Sequence, residues 1–407
     1  MATSEAFVSA HPSSHERKGR IAKTAAYFVT LAVLGMLASA LGPVLPGLAA
    51  RTHTQLSEAS VLLSAFALGQ LIGYLLGGHV IDRVAAHPVM GVAVVCAAGA
   101  LFLLPMVPLL WVVAVVALVL GASSGLLDIS CNTLLMWVHG HNVGPFMNAM
   151  HFCFGVGAFL APMIIAAMSE RSGGITWSLW ALALLTLPAA LALLVQTSPE
   201  RRNTEHHADR AAAKRIDYRA VTLIAVFFFA FVGAELGFGW WVYTYVLELG
   251  LGTMVMATYI TSLYWGAISL GRLAAVFLSM RFTPRTILWG TLPGSLVSMA
   301  LILALPESQT AIWVGTFGAG FTIGPLFPVI LAFAERNMPI TGRVTSLFFI
   351  GTSLGGMIIP WLIGQVFESV GPLVTMFAVM AAMIAATIAF AALAYVTRGR
   401  ATAQTSH

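Results

Sequence analysis

Twelve long apolar segments dominate the sequence, and most of the links between them are only a few residues long. An apolar helix of about 20 residues spans the hydrocarbon core of a bilayer, because its backbone polar groups are all satisfied internally. The segments lie at roughly 24–50, 56–81, 88–107, 109–137, 143–168, 174–196, 218–247, 253–280, 285–304, 310–334, 341–367 and 371–396. We therefore predict an all-α membrane protein with 12 transmembrane helices.

The composition excludes a soluble globular protein. Of the 407 residues, 59% are hydrophobic and only 9% are charged, whereas a soluble domain carries about 25% charged residues. The net charge of +5 comes from basic residues in links and tails, so it does not indicate a nucleic-acid partner. Cys96, Cys131 and Cys153 lie in apolar segments and predict neither a disulfide framework nor a metal site. No arrangement of a nucleophile with a base indicates an enzyme, and we expect no cofactor.

The distribution of basic residues predicts the orientation in the membrane. With the N-terminus in the cytoplasm, 17 of the 20 basic residues fall in cytoplasmic segments, as the positive-inside rule requires. Only Arg51 and Arg171 fall in outside loops, and Arg272 lies within a helix. We predict cytoplasmic tails at 1–23 and 397–407. The long polar interval at 197–217 is then a cytoplasmic central loop.

The two halves of the chain are related by an offset of 198 residues. Under this shift the matched pairs include Gly35 and Gly233, Gly73 and Gly271, Gly157 and Gly355, and Pro162 and Pro360. We therefore predict two pseudo-symmetric six-helix bundles, at 24–196 and 218–396, with a solute path at their interface. Four G-x-x-x-G pairs predict close helix packing. They are Gly73/Gly77, Gly121/Gly125, Gly320/Gly324 and Gly351/Gly355.

A short motif follows the second apolar segment, Gly78-His-Val-Ile-Asp82-Arg83. It resembles the G-x-x-x-D-R signature of the major facilitator superfamily. The resemblance implies the major facilitator fold, in which this Asp and Arg belong to a cytoplasmic latch between helices, here Asp82 and Arg83. The equivalent stretch of the second half keeps Arg281 but has Met280 in place of the Asp. We therefore expect an asymmetric latch.

Three longer segments resemble a narrower group, the fucose:proton symporter and sodium-dependent glucose transporter-like proteins. They are 121–132 in the fourth helix, 148–162 in the fifth and 235–245 in the seventh. In the fucose symporter, an acid and a nearby Asn of the fourth helix take part in coupling and sugar binding, and Asp128 and Asn132 match them. That symporter also has an acid in its first helix, whereas the first helix here has none. The resemblance implies a sugar transporter.

Titratable side chains at bilayer depth are costly and usually functional. Asp128 and His151 lie about 13 and 12 Å from the same membrane surface, on helices four and five. Both belong to stripes of small and polar residues, which we expect to face the protein interior. We predict that Asp128 carries the coupling charge for H⁺ or Na⁺, with His151 beside it. The alternative is a structural carboxylate that is hydrogen-bonded to Asn132 or His151.

A second set of charges lies in the other half. Glu235 is about 24 Å into the seventh helix, and the glycines around it predict a local break, as found at transporter binding sites. We predict that Glu235 accepts a hydrogen bond from the solute or serves as a second coupling site; the alternative is a structural acid that caps freed N–H groups. Arg272 is assigned to the gate. It either pairs with Asp128 across the two halves or extends toward the cytoplasmic surface.

Polar and aromatic side chains near these charges are the candidate solute contacts, because sugars combine hydroxyl groups with C–H faces that stack on rings. The candidates are Gln70, Asn132, Asn148, Glu235, Trp240, Trp241, Tyr264 and Trp265. We expect only one of Trp240 and Trp241 to face the solute, since adjacent helix positions point apart. The alternative for the aromatics at the end of the seventh helix, including Tyr243 and Tyr245, is an interfacial belt.

The sequence therefore predicts a secondary active transporter for a small polar solute. Our first choice is proton- or sodium-coupled symport of a sugar by alternating access, and the alternative is a proton-coupled exporter of drugs or metabolites. We expect a multi-pass monomer in the inner or plasma membrane, with both termini cytoplasmic. Its partners would be the solute and the lipid bilayer.

Overall fold

The computed structural model describes residues 14–81, 83–140, 143–199, 217–338 and 342–404. Within these residues, 12 helices are long and apolar enough to cross a membrane. In chain order they are α1 (Ser14–Thr52), α2 (Leu56–Ala59 and Val61–Ile81), α3 (Ala86–Leu103), α4 (Leu110–His139), α5 (Gly144–Ser172), α6 (Ile175–Leu194), α7 (Tyr218–Glu248), α8 (Met254–Ser279), α9 (Pro284–Ala304), α10 (Gln309–Ile323 and Leu326–Asn337), α11 (Gly342–Val370) and α12 (Val374–Gln404). The predicted all-α fold with twelve spans is confirmed. The first and last helices extend well beyond their apolar segments.

Local sequence signals set several helix starts and breaks. Four helices of the second half begin at a side chain that accepts a backbone N–H, which satisfies a donor of the first turn. These residues are Asp217, Thr253, Thr283 and Ser308. Two spans are interrupted, α2 at Ser60 and α10 at Gly324 and Pro325. Because proline has no backbone N–H, Pro325 interrupts the hydrogen-bond ladder of α10.

The helices pack in equivalent pairs in the two halves. In the first half α1 packs on α5, α2 on α4, and α3 on α6; the corresponding pairs in the second half are α7 on α11, α8 on α10, and α9 on α12. The repeated glycines lie in these contacts. A Cβ at Gly73 would overlap the carbonyl oxygen of Ala122 in α4, and one at Gly271 would overlap that of Phe321 in α10. The predicted pseudo-symmetry is therefore confirmed.

The predicted G-x-x-x-G contacts are also confirmed. Gly121 and Gly125 lie against the backbone of α2, Gly320 and Gly324 against the backbone of α8, and Gly351 and Gly355 against the backbone of α7. Each contact brings one helix backbone onto another, so a larger residue forces the helices apart. Gly121 and Gly125 fix the distance between α2 and α4, and so the position of the polar side chains on both helices.

The two halves meet through α2 with α11, α5 with α8, and α1 with α7. We call the end of the bundle where α1 ends and α2 begins the distal end, and the opposite end proximal. At the distal end, the Glu368 carboxylate of α11 accepts hydrogen bonds from the Leu56 backbone N–H (2.8 Å) and the Ser57 hydroxyl (3.0 Å). The Gln365 amide donates to the Ser57 carbonyl oxygen (2.8 Å). We call these bonds the distal contact, and they hold the halves together at that end.

The division of the chain into tails, bundles and a central loop stays a prediction. Most of the predicted loop, residues 200–216, lies outside the described residues, as do 1–13 and 405–407 of the predicted tails. The orientation of the bundle in the bilayer also stays a prediction.

Candidate functional site

Asp128 lies on α4 where that helix packs against α2, and both helices hold its carboxylate. The Tyr74 hydroxyl of α2 donates a hydrogen bond to Oδ2 (2.8 Å). The Asn132 side-chain amide, one turn along α4, donates to Oδ1 (2.9 Å) and to the Asp128 carbonyl oxygen (2.8 Å). Both donors are neutral, and within the described part of the chain no basic side chain lies within ion-pair distance of Asp128. The carboxylate is therefore hydrogen-bonded without a balancing positive charge.

His151 of α5 lies between the charges of the two halves. It is within electrostatic reach of both Asp128 and Arg272. The packing of α5 on α8 explains why, since Gly155, one turn from His151, lies against Ser269, one turn from Arg272. The two helices run antiparallel, so His151 and Arg272 lie at a similar depth near the interface between the halves.

Glu235 of α7 and Arg272 of α8 form an ion pair within the second half. The Arg272 Nη2 lies 3.3 Å from the Glu235 Oε1, and the two side chains are 26% and 9% exposed. This ion pair differs from both predictions for Arg272, because the guanidinium neither pairs with Asp128 nor extends to the proximal surface. The interpretation of Arg272 as a side chain that extends to the cytoplasmic surface is wrong. Glu235 is likewise engaged by a guanidinium and not by freed backbone N–H groups.

The predicted break in the seventh helix is wrong. α7 is continuous from Tyr218 to Glu248. Its glycines serve close packing, because Gly233 lies against Ile359 of α11 and Gly239 against the ring of Trp265 in α8. Glycine in a tightly packed transmembrane helix allows a neighbouring helix to approach without breaking the backbone hydrogen bonds.

Trp240 and Trp241 point apart, as predicted for adjacent positions, but neither indole is exposed. The Trp240 indole N–H donates to the Ala38 carbonyl oxygen of α1 (2.8 Å), and that of Trp241 donates to the Pro360 carbonyl oxygen of α11 (2.9 Å). In this conformation both rings are packing groups with satisfied polar atoms.

The aromatics at the distal end of α7 are also inside the protein. Tyr243 and Tyr245 are 5% and 0% exposed. The alternative that they form an interfacial belt is therefore wrong, since belt residues expose their rings to the membrane surface.

Tyr264 and Trp265 of α8 lie next to Glu235. The Tyr264 hydroxyl donates to the Glu235 carbonyl oxygen (2.9 Å), and the Tyr264 ring lies 4.6 Å from that of Phe238. Trp265 is only 2% exposed, and its indole N–H finds no partner among the described residues. A buried donor without a partner is costly, so Trp265, whose ring lies against Gly239 one turn from Glu235, supplies an unused hydrogen-bond donor.

The other polar candidates lie on the first half. Gln70 is half-buried on α2, one turn from Tyr74, and its backbone lies against Gly125 of α4. Asn148 is exposed on α5, one turn from His151. The structure thus brings α2 and α4 together at Asp128. Tyr74 was missed from the sequence, although its spacing of four residues from Gln70 places both on one face of a helix.

The predicted latch is only partly described. Asp82 lies outside the described residues, and Arg83 and Arg281 are both exposed at the proximal ends of α2 and α8. The position of the two arginines is the same in the two halves, as their offset predicts. Their role in a latch stays a prediction.

Metal ligands are not grouped in the described residues, where no set of three His, Cys, Asp or Glu side chains could hold an ion. His139 contacts the Thr24 hydroxyl (2.8 Å) and stacks on Phe146. Cys96 is exposed, Cys131 is buried, and all three cysteines are free.

A family model described as Major Facilitator Superfamily matches residues 27–360. The chain belongs to the major facilitator superfamily. Sodium-dependent glucose transporter 1A of Mus musculus is 27% identical over 367 residues, which cover 81% of this chain and 86% of that protein. Sodium-dependent glucose transporter 1 of Homo sapiens is 26% identical over 366 residues, which cover 81% of this chain and 71% of that protein. These relatives confirm the resemblance to the sodium-dependent glucose transporter-like group.

A solved structure confirms the major facilitator fold. The crystal structure of a mutant of the nucleoside transporter NupG superposes with a TM-score of 0.71 and 14% sequence identity, covering 92% of this chain and 99% of that one. This likeness concerns the fold alone. The chain is a multi-pass membrane transporter of the major facilitator superfamily and not an enzyme.

Proposed function

We propose that this transporter is a symporter that moves a sugar or similar polyhydroxy solute together with H⁺ or Na⁺ by alternating access. The proposal depends above all on Asp128, a carboxylate inside a membrane span whose described partners, Tyr74 and Asn132, are both neutral donors. A charge at this depth is costly unless it is balanced. A bound cation neutralises this charge, so cation binding at Asp128 is favourable.

Cation binding at Asp128 would couple to the movement of the halves. α4 carries Asp128, and the neighbouring α5 lies directly on α8 of the other half. An empty carboxylate is stabilised by water, whereas a cation-bound site can be enclosed without leaving a bare charge in a dry interface. A ligand shifts a conformational equilibrium only by its difference in affinity for the two states. The cation therefore favours states in which the interface around Asp128 is closed.

The solute class is supported by the polar groups around this interface and by the relatives. Gln70, Asn132 and Asn148 offer amide donors and acceptors from α2, α4 and α5. The unpartnered Trp265 indole N–H offers a donor that a solute hydroxyl can satisfy. The mouse and human relatives are named sodium-dependent glucose transporters, which favours a sugar as the solute and Na⁺ over H⁺ as the coupling ion.

The orientation proposed from the basic residues indicates which end of the bundle faces outward, and therefore which conformational state the structure corresponds to. With both termini in the cytoplasm of a plasma or inner membrane, the distal end faces outward. The distal contact then closes the outer side, so the structure corresponds to a conformer that is shut toward the outside. A monomer suffices for this cycle, because each half of one chain provides one side of the path.

The direct test is the substitution Asp128→Asn in protein reconstituted into liposomes. We expect loss of gradient-driven accumulation, with solute exchange retained, because the amide keeps the size of the side chain and removes its charge. The matched control is Asp217→Asn at the start of α7, where asparagine caps a helix as well as aspartate does. Accumulation by the Asp128→Asn protein equal to that of the unaltered protein would refute the coupling role.

A thermal-shift panel identifies the solute and the ion. Sugars, organic acids and drug-like compounds are added to purified protein with and without sodium, and a bound ligand raises the melting temperature. We expect stabilisation by a sugar that increases when sodium is present. Stabilisation by apolar drugs alone would instead favour the proton-coupled exporter.

A further inference from the structure

The charges deep inside the described membrane spans do not sum to zero. Asp128 and Glu235 are acidic, Arg272 is basic, and His151 is neutral in its ordinary form at neutral pH. The sum is one net negative charge. Because an unbalanced charge is costly at this depth, the cluster requires one monovalent cation from outside the chain.

The position of Arg272 decides which acid is left without a partner. Arg272 lies at a similar depth to His151, since Gly155 of α5 lies against Ser269 of α8 one turn away. Arg272 is therefore at the boundary between the half that holds Glu235 and the half that holds Asp128 and His151. The structure shows it paired with Glu235 at 3.3 Å, within its own half. Asp128, in the opposite half, keeps only neutral hydrogen-bond donors among the described residues.

We infer that Glu235 is a positioning residue that holds Arg272 away from Asp128 and thereby keeps Asp128 available for a cation. Without Glu235, the freed guanidinium would be drawn to the remaining carboxylate, because removing one member of a buried ion pair leaves the other uncompensated. Arg272 would then replace the transported cation at Asp128. This inference rests on the proposed symport, and it assigns Glu235 a role other than binding the solute or a second cation.

Two consequences follow for the transport cycle. The carrier takes one cation for each solute, since Asp128 is the single unbalanced charge of the cluster. The loaded carrier is electrically neutral inside the membrane, and the empty carrier has one negative charge there. A membrane potential therefore acts mainly on the return of the empty carrier.

The test is a charge-compensation series in proteoliposomes. The variants are Glu235→Gln, Glu235→Asp and the double substitution Glu235→Gln with Arg272→Gln. We measure cation-driven accumulation and solute exchange for each variant. We also measure the equilibrium affinity for radiolabelled sodium, and we obtain the affinity for protons from the pH dependence of uptake.

The expected pattern separates a positioning role from a binding role. Glu235→Gln abolishes accumulation and weakens cation affinity by about tenfold or more, as expected for a nearby unit positive charge, while exchange of solute continues. Glu235→Asp keeps the ion pair and retains coupling. The double substitution restores coupling, because it removes the guanidinium and leaves the net charge of the cluster unchanged.

The double variant decides the question by itself, even where Glu235→Gln alone does not fold. If Glu235 bound the cation or the solute directly, the double variant would remain uncoupled, and the inference would be wrong. Coupling that persists unchanged in folded Glu235→Gln protein would also overturn it. Absence of cation-driven accumulation in the unaltered protein would instead contradict the proposed symport, and the inference would fail with it.

Discussion

Removing the Glu368 carboxylate should open the distal end of the bundle. This carboxylate accepts two hydrogen bonds across the halves, from the Leu56 backbone N–H and the Ser57 hydroxyl. It also lies at the N-terminus of α2, where a negative charge is favourable by about 0.3–1 kcal/mol. Hydrogen bonds to a charged group contribute about 1.5–3 kcal/mol when shielded and less at an exposed site such as this one. We therefore expect Glu368→Ala to destabilise the closed distal end by about 1–3 kcal/mol, which corresponds to about 5- to 150-fold in the conformational equilibrium.

Hydrogen–deuterium exchange with mass spectrometry measures this change. Exchange should accelerate at the start of α2 and the end of α11, and it should slow at the proximal end, because alternating access closes that end when the distal end opens. The control is Glu170→Ala, because Glu170 lies 198 positions before Glu368 and makes no hydrogen bond with a described residue. Unchanged exchange in Glu368→Ala, or an equal acceleration in Glu170→Ala, would refute the role of the distal contact in closing the distal end.

Two further substitutions test the packing and the site. Gly73→Leu should strongly reduce the yield of folded protein in size-exclusion chromatography, because the new side chain overlaps a backbone carbonyl of α4; Gly99→Leu should fold normally, because a Cβ added at Gly99 would meet no packed atom within 4 Å. Tyr74→Phe should tighten cation binding by about tenfold, because it removes a hydrogen bond of about 1.5 kcal/mol that stabilises the unbound Asp128 carboxylate. The exposed Tyr259→Phe substitution is its control, and equal cation affinities in the two variants would contradict this role of Tyr74.

The fold could be predicted from the sequence because hydropathy and glycine spacing both act through simple geometry. An apolar segment of sufficient length must become a helix in lipid, and the offset of 198 residues placed Gly73 and Gly271 in equivalent helix contacts. The helix extensions and interruptions were less predictable. α10 breaks at Pro325, which falls inside an otherwise uniform apolar segment.

The sequence predicted the charged residues of the candidate site but not which of them form an ion pair. Asp128, His151, Glu235 and Arg272 stand out in the sequence because charges are rare in apolar segments. Their partners depend on how each helix is rotated, which a hydropathy pattern does not specify. For this reason the sequence offered Asp128 as the partner of Arg272, whereas the structure shows Glu235. The glycines near Glu235 were misinterpreted as a break because glycine serves both breaks and close packing.

The most direct test of cation coupling is to measure the sugar and cation gradients at which net sugar flux is zero. Proteoliposomes are loaded with sugar against an opposing sodium or proton gradient at zero membrane potential, and the gradients at which net sugar flux vanishes are recorded. The account predicts that a tenfold cation gradient balances an opposing sugar gradient of about tenfold, as one cation per sugar requires, and that Asp128→Asn protein shows no such balance. Sugar that equilibrates regardless of the cation gradient would contradict the account.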